Sequence, residues 1–120
     1  MLPIVLASAL AASSSAPALG YFDGETLVEA CNAPRAAASA KGAVCLGYVS
    51  GAVDAILMQQ ATMSGRRTVC PPPGLKLDAA VSSVLARASW AAKARGIGAA
   101  SFVKLALEDA YPCRADQDIM

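Results

Sequence analysis

The segment Ala43-Val44-Cys45-Leu46-Gly47-Tyr48-Val49-Ser50-Gly51-Ala52-Val53-Asp54-Ala55-Ile56 decides how this chain folds. Val44, Tyr48, Ala52, Ala55 and Ile56 recur at helical spacing, and Cys45 and Val49 widen the stripe. The pattern predicts a helix from about Ala43 to Thr62. Ala43, Gly47, Gly51 and Ala55 form a ridge of small residues at every fourth position. A glycine inside a helix costs about 1 kcal/mol relative to alanine. Two of them on one ridge point to close approach by another helix.

Upstream, Asp23 is placed to cap a helix through its carboxylate. Phe22 and Leu27 occupy the N′ and N4 positions of a hydrophobic staple, and Glu25 and Glu29 lie where a helix dipole favours anions. This first helix ends near Asn32, just ahead of Pro34, and Pro34 to Gly42 reads as an Ala-rich connector. Downstream, Ser64-Gly65-Arg66-Arg67 breaks the pattern, and Pro71-Pro72-Pro73-Gly74 makes a stiff extended loop. A third helix is expected from Leu77 to Ala92, with Leu77, Val81, Val84, Leu85 and Ala88 on one face. Gly96 and Gly98 interrupt. A fourth runs from Ala99 to Ala110, with Phe102, Val103, Leu105, Ala106 and Ala110 apolar, and Pro112 stops it. The expectation is an all-α, four-helix domain.

The first charged side chain is Asp23. Before it, Leu2 to Ala12 is an apolar run of h-region length, followed by Ser13 to Ser15 and an Ala16-Pro17-Ala18 pattern. Residues 1–20 therefore read as a signal peptide cut after Ala18 or Gly20, although no Lys or Arg precedes the run. The run is shorter than the roughly 20 residues of a membrane span, so no stable anchor is expected after cleavage. Residues 21–113 form the domain and 114–120 a tail.

The four cysteines, Cys31, Cys45, Cys70 and Cys113, have no C-x-x-C spacing that would suggest a redox motif or zinc ribbon. In an exported chain they imply two disulfides. An antiparallel trace puts the end of the first helix beside the start of the second. It returns the end of the fourth helix to the level of Cys70. Of the three pairings, Cys31–Cys45 and Cys70–Cys113 is the one this trace favours.

Composition narrows the function. Hydrophobic residues make up 56% of the 120, but 28 are alanines and aromatics only 5%, so the core is thin and the disulfides matter. The absence of histidine excludes Ser-His-Asp and Cys-His catalytic sets within this chain and leaves only an all-Cys zinc site to consider. A net charge of +1 argues against a nucleic-acid partner. Glu25 and Glu29 are the one carboxylate pair at i,i+4, while Glu108 and Asp109 diverge on a helix. Neither pair comes with a nucleophile. A binding protein without metal or cofactor is expected, not an enzyme.

Four segments in order resemble the Rap/Tai immunity proteins, which protect bacteria against type VI-secreted peptidoglycan amidases. They are Phe22-x-Gly24-x-x-Leu27-x-x-x-Cys31; Cys45-x-Gly47-Tyr48-Val49-x-Gly51-x-x-Asp54-Ala55; Cys70-Pro71-x-x-Gly74; and Leu105-Ala106-Leu107-x-x-Ala110-Tyr111-Pro112-Cys113. The resemblance implies a periplasmic all-α domain with intramolecular disulfides that inhibits a cognate amidase effector, often as a homodimer. It also implies that the loop between the third and fourth helices, here Ser89 to Gly98, enters the enzyme's cleft. The His-Pro pair often found there is replaced by Ala88-Ser89-Trp90.

Trp90, Lys93, Arg95 and Gly96 are therefore the candidate partner-binding residues. Trp90 is either an interface anchor, since Trp and Arg are enriched at hot spots, or the cap of the helical core. Lys93 and Arg95 either meet an acidic patch or solvate a helix end. Tyr48 and Gly47 read as core. Asp54 is placed to pair with Arg66, Arg67 or a partner, or to face water, and Pro71 to Pro73 reads as a rigid spacer. The competing class is a periplasmic stress protein or acid-activated holdase. Without histidine its trigger would be carboxylate protonation, well below neutral.

Overall fold

The computed structural model describes residues 21–33, 39–63, 65–93 and 96–114. The expected signal peptide, most of the Ala-rich connector, Arg95 and nearly all of the tail lie outside them. Among the described residues there are five helices and no strand: α1 (Gly24–Asn32), α2 (Ala40–Thr62), α3 (Leu77–Ala86), α4 (Ala88–Lys93) and α5 (Ala99–Ala110). The fold is all-α as expected, with one helix more than the sequence pattern suggested.

The extra helix comes from a break at Arg87. Its backbone leaves helical geometry at φ −112°, ψ 25°, and its N–H turns back to the carbonyl of Val84 at 3.1 Å. The chain re-enters a helix at once, with the Trp90 N–H bonded to the Arg87 carbonyl at 2.9 Å. This change of direction buries Ala91 against α1, where the glycine of position 24 makes room. A Cβ on Gly24 would stand 3.3 Å from the Ala91 Cβ and 3.2 Å from the Phe102 Cγ.

The start of α1 is as the sequence predicts. Asp23 accepts a hydrogen bond from the Thr26 N–H at 2.8 Å. That bond holds its carboxyl below the usual carboxylate range, because it favours the ionised form. Helix α2 begins three residues earlier than the hydrophobic pattern indicates. Ser39 caps it, its Oγ accepting from the Gly42 N–H at 3.0 Å, as serine does when it satisfies an otherwise orphaned donor.

The buried seam of α2 is Cys45, Val49 and Ile56. Val44 and Ala55, expected in that seam, face outward, as do Gly47 and Gly51. The helix is rotated this way because Cys45 must meet Cys31. The ridge of small residues therefore carries no neighbouring helix: a Cβ at Gly47 or Gly51 would meet nothing within 4 Å. By length and composition α2 could cross a bilayer, yet its buried seam and its disulfide tie it into the domain.

The core joins Leu27 of α1 and Val49 of α2 to Val81 and Val84 of α3 and Phe102, Val103 and Leu107 of α5, all completely buried. Of the apolar residues of α5, Leu105 is exposed, and Leu107 is buried. Helix α1 touches each of the other four helices. Its N-terminal approach is stitched to the α4–α5 connection by the Gly24 N–H to the Ile97 carbonyl at 2.9 Å and the Ala99 N–H to the Phe22 carbonyl at 2.8 Å.

Both disulfides form as the antiparallel trace indicated. Cys31–Cys45 joins α1 to α2, and Cys70–Cys113 joins the loop before α3 to the segment after α5. Beside the second, the Cys70 N–H donates to the Tyr111 carbonyl at 2.8 Å.

Candidate partner-binding face

The connection from α3 to α5, expected as a loop from Ser89 to Gly98, is largely helix α4 followed by a turn. Ser89 to Ala92 fall within both the expected third helix and the expected loop; the structure makes Ser89 to Lys93 helical, because Ala91 finds a buried seat on α1 and rewards the extra turn. The far side of α4 faces water. Trp90 is 37% exposed, and Lys93, the last residue of α4, is exposed. Gly96 follows at φ +88°, a left-handed conformation that glycine adopts without steric cost. Trp90 and Lys93 thus lie on α4, and Gly96 lies just ahead of Ile97 and Ala99, which are bonded to the start of α1.

Trp90 lies beside Arg87. The guanidinium carbon of Arg87 lies 5.9 Å from the centre of the indole ring, within range of a cation–π attraction. The same guanidinium is bonded to Asp109 of α5, with Nε at 2.7 Å from Oδ2 and Nη2 on the same oxygen. Its Nη1 reaches the Ser83 carbonyl at 3.5 Å. Sequence reasoning missed this cluster. Asp109 lies 22 residues from Arg87, and no local pattern relates them.

The other polar residues are spread over the surface. Glu29 stands 3.9 Å from Lys41 across α1 and α2, and Glu108 pairs with Lys104 one turn away at 3.4 Å. Glu25 is exposed, and Glu29 lines a small, mostly apolar cleft with Thr26 and Lys41. Tyr48 is half-buried and stacks on Phe22 at 5.3 Å between ring centres, while Gly47, expected in the core, is exposed. Asp54, exposed, and Arg67 line an open groove of about 630 Å³ between α2 and Pro71 to Gly74. Among the described residues no cluster of acidic or cysteine side chains could hold a metal ion, and every cysteine is in a disulfide.

A family model described as Rap1a immunity proteins matches residues 23–113 of this chain. No curated protein and no solved structure matches it.

Proposed function

Because the chain belongs to the Rap1a immunity protein family, we propose that it inhibits a type VI-secreted peptidoglycan amidase by occupying the enzyme's active-site cleft. Membership supports an immunity protein against a secreted effector, acting as an inhibitor. The amidase target, the periplasm as the site of action and the face that binds are our reading. The family match across nearly the whole domain is the observation that carries it.

Two disulfides suit an oxidising compartment, and with the apolar run of residues 1–20 they support export with cleavage near Ala18 or Gly20. The α4 excursion supports the choice of face. A partly exposed Trp beside a cation has the composition of an interface hot spot. Trp90, Lys93, Arg95 and Gly96 are the contacts we assign to the amidase. A homodimer belongs to the same proposal, since α2 leaves Val44, Gly47, Gly51 and Ala55 uncovered.

The test is direct. Purified oxidised protein is mixed with the amidase encoded beside it, and peptide release from cell wall is measured. Inhibition that saturates at stoichiometric protein is expected, and no inhibition at excess overturns the reading.

A further inference from the structure

We infer that Arg87 is a positioning residue for Trp90: anchored to Asp109, it fixes the indole in one orientation on the surface before any partner arrives. The importance of this for inhibition rests on the proposal that Trp90 meets the amidase; the positioning itself does not.

A surface tryptophan that turns freely loses rotamer entropy when it is captured, and a side chain held in its bound orientation avoids that loss. Arg87 is suited to the holding role. Its planar guanidinium presents donors along one edge and a flat face for an aromatic ring. Here Nε and Nη2 grip Asp109 Oδ2, Nη1 reaches back to Ser83, and the guanidinium carbon stands over the indole ring at 5.9 Å from its centre. Both hydrogen-bonding partners come from packed helices: Ser83 is buried in α3, and Asp109 is on α5.

The backbone contributes as well. The helix break at Arg87 places Trp90 on the first turn of α4, with its N–H bonded to the Arg87 carbonyl. Ala91, the next residue, is buried. The indole is thus constrained from its own backbone and from the guanidinium, and the guanidinium from α3 and α5. A staple between α3 and α5 would need only the Arg87–Asp109 pair; the indole ring under the guanidinium, 5.9 Å from its carbon, is what that simpler role leaves unused.

Trp90 is the only tryptophan, so its fluorescence reports this site alone. Time-resolved anisotropy and iodide quenching are measured on the full oxidised protein and on D109A and R87K. Asp109 bonds Arg87, and D109A should act on Trp90 through it. We expect D109A to raise the amplitude of fast indole motion at least twofold and to increase iodide quenching. R87K, which keeps the charge but loses the fork, should do nearly the same. If D109A lowers thermal stability yet leaves both signals unchanged, the pair is a staple only and the inference is overturned. Circular dichroism identifies a variant that has unfolded, in which case D109N replaces D109A.

Binding of the neighbouring amidase supplies a second arm. D109A should weaken binding about tenfold in the wild-type background and have no further effect in W90A. Looser fluorescence with unchanged affinity in both D109A and W90A leaves the positioning intact and removes this face from the amidase contact.

Discussion

The side-chain amide of Gln60 bonds both backbone polar groups of Val69: its Oε1 accepts from the Val69 N–H at 2.9 Å and its Nε2 donates to the Val69 carbonyl at 2.9 Å. The same oxygen accepts from the Thr68 N–H at 2.9 Å. Val69 is completely buried, and among the described residues no strand lies beside it. One side chain from α2 therefore does what a neighbouring strand would do for an extended segment.

Removing that side chain leaves buried backbone groups without partners. Q60A is expected to lower stability by about 2–3 kcal/mol, since an unsatisfied buried donor or acceptor costs about 1–3 kcal/mol. Q60E keeps an acceptor for both N–H groups but loses the donor to Val69, so it should fall between wild type and Q60A. Urea unfolding of the three proteins checks the order, and a Q60A midpoint equal to that of wild type would refute it.

Gln60 also shows where sequence reading stops. The helices of this chain are legible because capping and periodicity are local: Asp23, Phe22 and Leu27 announce α1 within six residues, and Pro112 marks the end of α5. The disulfide pairing is legible because it follows from helix direction. What bends or rotates a helix is not local. Cys31 sets the rotation of α2 so that Val44 and Ala55 face out. The break at Arg87 depends on the seat for Ala91 at Gly24 and on Asp109, both distant in sequence. The candidate site shared this fate. Trp90 and Lys93 are candidates by residue type and position in the α3–α5 connection, whereas the Arg87–Asp109 pair beside Trp90 has no local signal.

The two disulfides close loops of different length, with partners 14 and 43 residues apart. Chain-entropy arithmetic assigns about 3 kcal/mol to Cys31–Cys45 and about 4 kcal/mol to Cys70–Cys113. In a domain with an Ala-rich core either loss is a large part of the whole. Paired alanine substitutions at each bridge, followed by urea unfolding, should show losses of at least these sizes. A loss below about 1 kcal/mol at either bridge would contradict the loop-closure account.

Asp23 makes α1 acid-sensitive in a defined direction. Its folded-state pKa lies below the unfolded value of 3.8, because the ionised carboxylate accepts the Thr26 N–H. The stabilisation is therefore fully present above the unfolded pKa and is lost as pH falls through the folded one. D23N keeps an acceptor without the titration, and D23A loses the cap at a cost of about 1 kcal/mol at neutral pH. Thermal melts of the three proteins from neutral pH to below 3.8 should converge for wild type and D23A as the carboxylate protonates. A constant gap between them across that range would show that ionisation of Asp23 plays no part.

The same substitution, glycine to alanine, is expected to have opposite effects in α1 and α2. At Gly47 and Gly51 an added methyl meets nothing within 4 Å, so only the backbone responds. Alanine restricts the unfolded chain and favours the helix, and G47A and G51A should each stabilise by about 0.5–1 kcal/mol. For a domain of this size that corresponds to a Tm rise of about 4–8 °C per kcal/mol. At Gly24 the methyl would lie 3.2 Å from the Phe102 Cγ and 3.3 Å from the Ala91 Cβ, and both neighbours are buried. Overpacking of this kind costs about 1–3 kcal/mol and outweighs the propensity gain, so G24A should melt below wild type. If two copies pair through the uncovered face of α2, G47A and G51A will weaken that pairing in sedimentation velocity while still raising the Tm of the dilute monomer. A G24A protein that melts at or above wild type would show that α1, α4 and α5 are less tightly joined than the contacts at Gly24 require.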